Sequence, residues 1–195
     1  MEACGKHFIA DISDLLRQRE RATVGHPSFL RAAVLVPLFA KEGGCHILFT
    51  ERSHQVKHHK GQISFPGGVF DNEDEDLKRT ALREVFEEIG VKEKDVQVLG
   101  ALDDIVTSSE FVVTPFVGII PYPYSFQLSA VEIAELIVVP LTSLLDPNSF
   151  AEREIIDNGL KRVAESYQHG RHIIWGATAR ILKQFLSVIA TPKLT

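Results

Sequence analysis

Two periods of apolar residues run along this chain. Ala32 to Phe39 and His46 to Thr50 are apolar runs rich in β-branched residues, separated by Lys41-Glu42-Gly43-Gly44. They predict two strands joined by a tight turn. Gln62 to Phe65 predicts a further short strand, stopped by Pro66-Gly67-Gly68. Leu77 to Ile89 changes to the helical period: Leu77, Ala81, Leu82, Val85, Phe86 and Ile89 fall on one apolar face. Gly90 follows in the favoured helix-ending position. Val96 to Ala101, Val112 to Ile120 and Ile133 to Val139 are expected strands. Asp11 to Glu20 reads as a short amphipathic helix, and Trp175 to Ile189 as a closing one. Several strands lack a helical crossover between them. A mixed sheet with helices packed on it is therefore expected, not a doubly wound parallel sheet.

The 195 residues fit one domain, with 45% hydrophobic and 24% charged residues in the usual globular balance. The longest near-apolar stretch, Phe111 to Pro121, is too short for a bilayer, which takes about 20 residues. No membrane partner and no signal peptide are expected. No extended basic stripe exists, so no nucleic-acid partner is expected either. Cys4 and Cys45 cannot build a disulfide framework or a four-sulfur zinc site. A reducing, cytoplasmic setting is the simplest expectation, with Cys45 a small buried hydrophobe in its strand.

Charge is distributed unevenly. Asp71 to Glu88 holds eight acids against three bases, so this segment alone accounts for the net charge of −5. Within the helix, Glu84, Glu87 and Glu88 stand at i, i+3 and i+4, inside an arc of roughly 100°. Three carboxylates on one face repel one another. Either water solvates them or a hard cation neutralises them, and carboxylate oxygens suit Mg²⁺ or Mn²⁺. An EF-hand loop starting at Asp71 fails, because its sixth position is Asp76 instead of Gly and its twelfth is Leu82. Pro66-Gly67-Gly68 lets the backbone approach a ligand closely. Arg83 adjoins the acids and can orient one by ion pairing.

Glu75, Arg83, Glu84, Val85, Glu87, Glu88, Gly90 and Val91 together resemble the Nudix box, G-x5-E-x7-R-E-U-x-E-E-x-G-U, with U aliphatic. One element departs from it. Counted back from Arg83, the box glycine falls on Val69, one residue after Gly68, so the loop carries an extra residue. Upstream, Leu48-Phe49-Thr50-Glu51-Arg52-Ser53, Lys57, Gly61 and Phe65-Pro66-Gly67-Gly68 resemble the motif that precedes this box in coenzyme A diphosphatases. Lys57 stands where that motif usually has arginine, which keeps the charge and loses the planar fork. Phe111 to Gly118 and Ile174 to Thr178 also resemble segments of those enzymes, and Ser109-Glu110-Phe111 replaces an expected S-G-F.

The resemblance implies a Nudix-like α/β/α sandwich, an α+β arrangement around a mixed sheet. It would be one domain over residues 1–195, with an N-terminal helical extension over about 1–30 and the characteristic loop and helix at 67–91. It implies metal-dependent hydrolysis of a diphosphate in coenzyme A or its derivatives. Another nucleoside diphosphate derivative such as ADP-ribose, or a non-catalytic nucleotide-binding domain, are the alternatives. Glu84 and Glu88 would be the principal Mg²⁺ or Mn²⁺ ligands, with Glu87 a third. Arg83 would hold the glutamate array, and of Glu132 and Glu135, the two acids ahead of the Ile-Val-Val-Pro-Leu run, Glu132 is the favoured base. Arg52, Lys57, Gly67 and Gly68 would meet the substrate. The expected partner is that small molecule, and a homodimer is left open.

Overall fold

The computed structural model describes residues 4–56, 59–157 and 159–190. Its centre is strand β1 (Leu30–Lys41). β1 pairs antiparallel with β2 (Gly44–Arg52) through the turn anticipated at Lys41–Gly44. Nearer its start it pairs antiparallel with the short β4 (Gly67–Val69), setting Ala33 against Gly68. Its other edge runs parallel to β7 (Phe111–Ile119). Outside β2 lie β3 (Ile63–Ser64) and β8 (Ile133–Pro140). β5 (Gln97–Ala101) and β6 (Ile105–Val106) border β7. The sheet is mixed, as expected.

Two prolines stand inside central strands, where a missing N–H is normally excluded. Pro37 falls after the β4 pairing ends at Val34 and before the β2 pairing begins at Leu38. Pro115 falls between the β6 partners, which end at Val113, and the β5 partners, which begin at Phe116. Each occupies a gap where one neighbouring strand gives way to the next.

Alternating side chains of β1 feed two cores. Leu35 and Phe39 point to one face and pack with Val85, Ile89 and Val91 around helix α2 (Leu77–Ile89). Val36 and Leu38 point to the other face. There they join α1 (Lys6–Gln18), α3 (Leu141–Leu145) and α4 (Gly176–Ala190) through Ile12, Leu16, Leu144, Leu182 and Phe185. Helices thus cover both faces, the α/β/α sandwich that the sequence implied. Among the described residues, no helix is long and apolar enough to cross a membrane.

The element limits follow capping chemistry. Asp76 accepts a hydrogen bond from the Arg79 N–H at 2.8 Å and starts α2. Gly90 ends it at φ 75°, where a Cβ would crowd Gln127.

Four expectations change. α1 begins at Lys6 and ends at Gln18, earlier than the anticipated Asp11–Glu20. Phe86 leaves the apolar stripe of α2 and is 53% exposed, while Glu88 takes a buried place beside Val85 and Ile89. A second sheet of β9 (Phe150–Asp157), β10 (Leu160–His169) and β11 (His172–Trp175) was not anticipated. Most of β10 is exposed, so its sequence lacks the apolar alternation that marks a half-buried strand. Cys45 is buried, but it is joined to Cys4 in a disulfide across 41 positions instead of standing as a free hydrophobe.

The turn from β6 to β7 holds Glu110 at φ 63°, in the left-handed region that favours glycine. Glu110 is the position where the resemblance leads one to expect glycine. Glu110→Gly is expected to raise stability by up to about 1 kcal/mol, read as a higher denaturant midpoint with an unchanged slope.

Candidate active site

Helix α2 lies against β4 so closely that a Cβ at Gly68 would overlap the Glu84 carboxylate. One at Gly67 would overlap the backbone of Ala33 and Val34. The close pairing of β4 on β1 thus leaves no room for a side chain at Gly67, and the Glu84 carboxylate fills the space that a side chain at Gly68 would take. The three helix acids then meet different surroundings. The Glu87 side chain is 51% exposed, that of Glu84 15% and that of Glu88 2%.

Arg83 organises two of them. It donates to Glu84 Oε1 at 2.7 Å and to Glu87 Oε2 at 3.2 Å. Its remaining donors grip Asp74: Nε to Oδ1 and Nη2 to Oδ2, both at 3.0 Å, a two-pronged contact of the kind a guanidinium makes best. Asp74 is nearly buried and also accepts from the Thr80 hydroxyl at 2.8 Å and from the Asp71 N–H. Arg83 leads the causes that hold its carboxyl well below the usual range.

The box glutamate eight residues before Arg83 is Glu75, which is exposed. The structure brings Asp74 to Arg83 instead. Counted forward from Gly68, the sixth residue is Asp74, so the extra residue of the loop lies between this acid and Arg83. That forward count was the available signal.

Glu88 points away from Arg83. Burial raises its carboxyl to about 8, opposed by Arg52 and assisted by the charges of Glu84 and Glu132. Burial likewise raises Glu84. Arg52 approaches Glu88 with Nη1 at 4.0 Å from Oε1. It owes this aim to an irregularity of β2, where the pairing with β8 shifts between Glu51 and Arg52.

Glu132 arrives on the segment before β8. The Gln127 and Ser129 N–H groups donate to the Ile89 and Glu88 carbonyls at the end of α2, and the Ser53 N–H donates to the Glu132 carbonyl at 2.7 Å. Glu135 is drawn off by Arg171 at 2.6 Å. Of the expected site residues, Arg52, Gly67, Gly68, Arg83, Glu84, Glu87, Glu88 and Glu132 gather here. Lys57 lies outside the described residues.

Can this site take a divalent cation? Glu88 Oε2 is buried with no hydrogen-bond partner, an oxygen that wants one. Among the described residues, no three carboxylate, imidazole or thiol groups form a ready-made cage. Mg²⁺ seldom needs one, since it binds through one or two carboxylates, substrate phosphates and water. Glu84, Glu88 and the Gly68 backbone fit that donor pattern. Beside them opens a cavity of about 440 Å³ that shares Arg52, Gly67 and Gly68 with the site.

Two tests follow from this geometry. Asp74→Asn is expected to destabilise the fold by about 2 kcal/mol, because it strips the partner from a half-buried guanidinium, while Glu75→Gln leaves the melting temperature unchanged. The second concerns pH. Between the ordinary value of 4.5 and about 8, folded Glu88 keeps a proton that the unfolded chain releases. Stability of metal-free protein must then fall as pH rises through that window. Denaturant melts in EDTA should show this slope, and Glu88→Gln should flatten it.

Comparisons with known proteins agree with the arrangement. The NUDIX domain family matches residues 29–158. An uncharacterized Nudix hydrolase, NudL, of Photorhabdus laumondii is 38% identical over 78% of this chain and 81% of its own. The peroxisomal coenzyme A diphosphatase NUDT7 of Mus musculus is 32% identical over 92% of this chain and 79% of its own. A MutT/nudix family protein of Enterococcus faecalis shares the fold, with a TM-score of 0.56 at 14% identity over 92% of this chain and 69% of its own. With the box residues of α2 packed on β4 and the profile spanning the central sheet, this chain belongs to the Nudix hydrolase family.

Proposed function

We propose that this protein hydrolyses the diphosphate of coenzyme A or its derivatives, releasing 3′,5′-ADP and 4′-phosphopantetheine or its acyl form. The observation that carries the reading is that Arg52, which lines the cavity, stands 4.0 Å from Glu88, whose carboxyl also feels the charges of Glu84 and Glu132. Arg52 belongs to the upstream segment that resembles coenzyme A diphosphatases, and the acids belong to the Nudix box. The mouse relative, named for the same activity, supports the choice of substrate.

A diphosphate is polyanionic and repels an attacking water. Bound Mg²⁺ or Mn²⁺ supplies charge neutralisation and acidifies the water. Glu84, Glu88 and the Gly68 carbonyl would hold that ion, with Glu87 as a further carboxylate ligand. Arg83 fixes Glu84 and Glu87 through its two contacts, so the acids are placed before substrate arrives. Arg52 moves from Glu88 to a phosphate oxygen, and Lys57 is a second phosphate contact by its place in the upstream motif. Glu132 stands near both buried acids and takes the proton of the attacking water.

The experiment is hydrolysis of coenzyme A, with ADP-ribose as comparator, in Mg²⁺, Mn²⁺ or EDTA, and products resolved by mass. Metal-dependent formation of the two coenzyme A products is expected. Glu84→Gln and Glu88→Gln should each lower kcat by about a hundredfold or more with an unchanged fold by circular dichroism. Cleavage of ADP-ribose alone overturns the substrate assignment. Near-wild-type kcat in both variants overturns the assignment of the acids.

A further inference from the structure

The cavity beside the site has a composition unlike the rest of the chain. Much of its lining is apolar, with Ala32, Val34, Phe65, Phe111, Val113 and Trp175 among the contributors. Thr107, Ser108 and Ser109 also line it. No carboxylate lines it among the described residues, in a protein with 26 acids and 21 lysines and arginines. Its arginines are Arg52, beside the buried glutamates, and Arg180 of α4.

Arg180 is anchored. Its Nη1 donates to the Val106 carbonyl of β6 at 2.8 Å. No acidic side chain among the described residues pairs with it, which leaves the other guanidinium donors open. Gly68 and Val106 are separated by the width of β1 and β7. From β4 to β6 is three strand spacings, about 14 Å. The cavity thus runs from the diphosphate position, past apolar walls, to a second fixed guanidinium.

The geometry points to Arg180 as a specificity residue that binds a phosphate of the substrate other than the scissile pair. This rests on the coenzyme A reading above and deepens it. The half of the substrate that carries a further phosphate is the 3′-phosphoadenosine. That half occupies the cavity, with its base against the apolar wall, and the uncharged pantetheine arm leaves the site on the other side. A guanidinium suits a phosphate because its planar fork pairs with two oxygens. A carboxylate-free lining leaves no acidic side chain among the described residues to compete with the phosphate for that guanidinium.

The test pairs binding with turnover. Affinities of 3′,5′-ADP and 5′-AMP for the metal-free protein are measured by calorimetry. Wild type should bind 3′,5′-ADP about tenfold more tightly, Arg180→Ala should bring the two within about twofold, and Arg180→Lys should keep part of the preference. In hydrolysis, the kcat/KM ratio of coenzyme A over dephospho-coenzyme A should collapse towards one in Arg180→Ala, through KM. Equal binding of the two nucleotides by wild type overturns the inference. So does a preference that survives Arg180→Ala, or a variant that discriminates only between succinyl- and acetyl-coenzyme A, which would place an acyl carboxylate at Arg180. Absence of coenzyme A hydrolysis by wild type counts against the parent reading, while the nucleotide affinities decide the role of Arg180.

Discussion

Packing α2 against β4 excludes water from Glu88, and much else in the molecule answers to that burial. A carboxylate without solvent is costly unless it is protonated, paired or metal-bound. The fold supplies a guanidinium at 4.0 Å and leaves one oxygen unpartnered. The cost is met by the two cores on either side of β1, which hold helix and strand together whatever the state of the acid. Gly67 lets β4 lie close on β1, and Gly68 leaves free the space that the Glu84 carboxylate fills.

The neighbouring charges follow from the same packing. Arg83 cannot serve Glu88, since its donors are taken by Asp74, Glu84, Glu87 and the Val69 carbonyl. Its grip on Asp74 closes the loop between β4 and α2 and lets Glu84 stand beside a second acid. Arg52 comes from another strand, turned inward by an irregular pairing, and Glu132 from a loop docked on the end of α2. Three segments remote in sequence thus place charge around one buried oxygen. That convergence is what a polyanionic substrate needs, because catalysis on a diphosphate is mostly positioning and charge compensation.

The site borders a cavity of opposite character. Acids crowd one side of Gly68, and apolar walls with arginines occupy the other. A substrate with a charged centre and a large, partly apolar half fits such a division.

Much was legible in the chain itself. The helical period fixed α2 to the residue, because Asp76 and Gly90 cap it and its apolar spacing is regular. The R-E-x-x-E-E-x-G pattern located the acids, since spacing along a helix determines which side chains share a face. What spacing could not tell was depth: Phe86 and Glu88 both border the apolar stripe, and only the docking of α2 on the sheet exposed one and buried the other. The partner of Arg83 was likewise settled by how the loop folds back, which selected Asp74 over its neighbour Glu75. β10 escaped notice because an exposed ribbon needs no apolar alternation, and the Cys4–Cys45 bond because two cysteines carry no pairing information until the chain brings them together. Local periodicity and capping are written in consecutive residues. Burial, ion pairing and the cavity depend on which distant segments meet, and only the tertiary structure decides that.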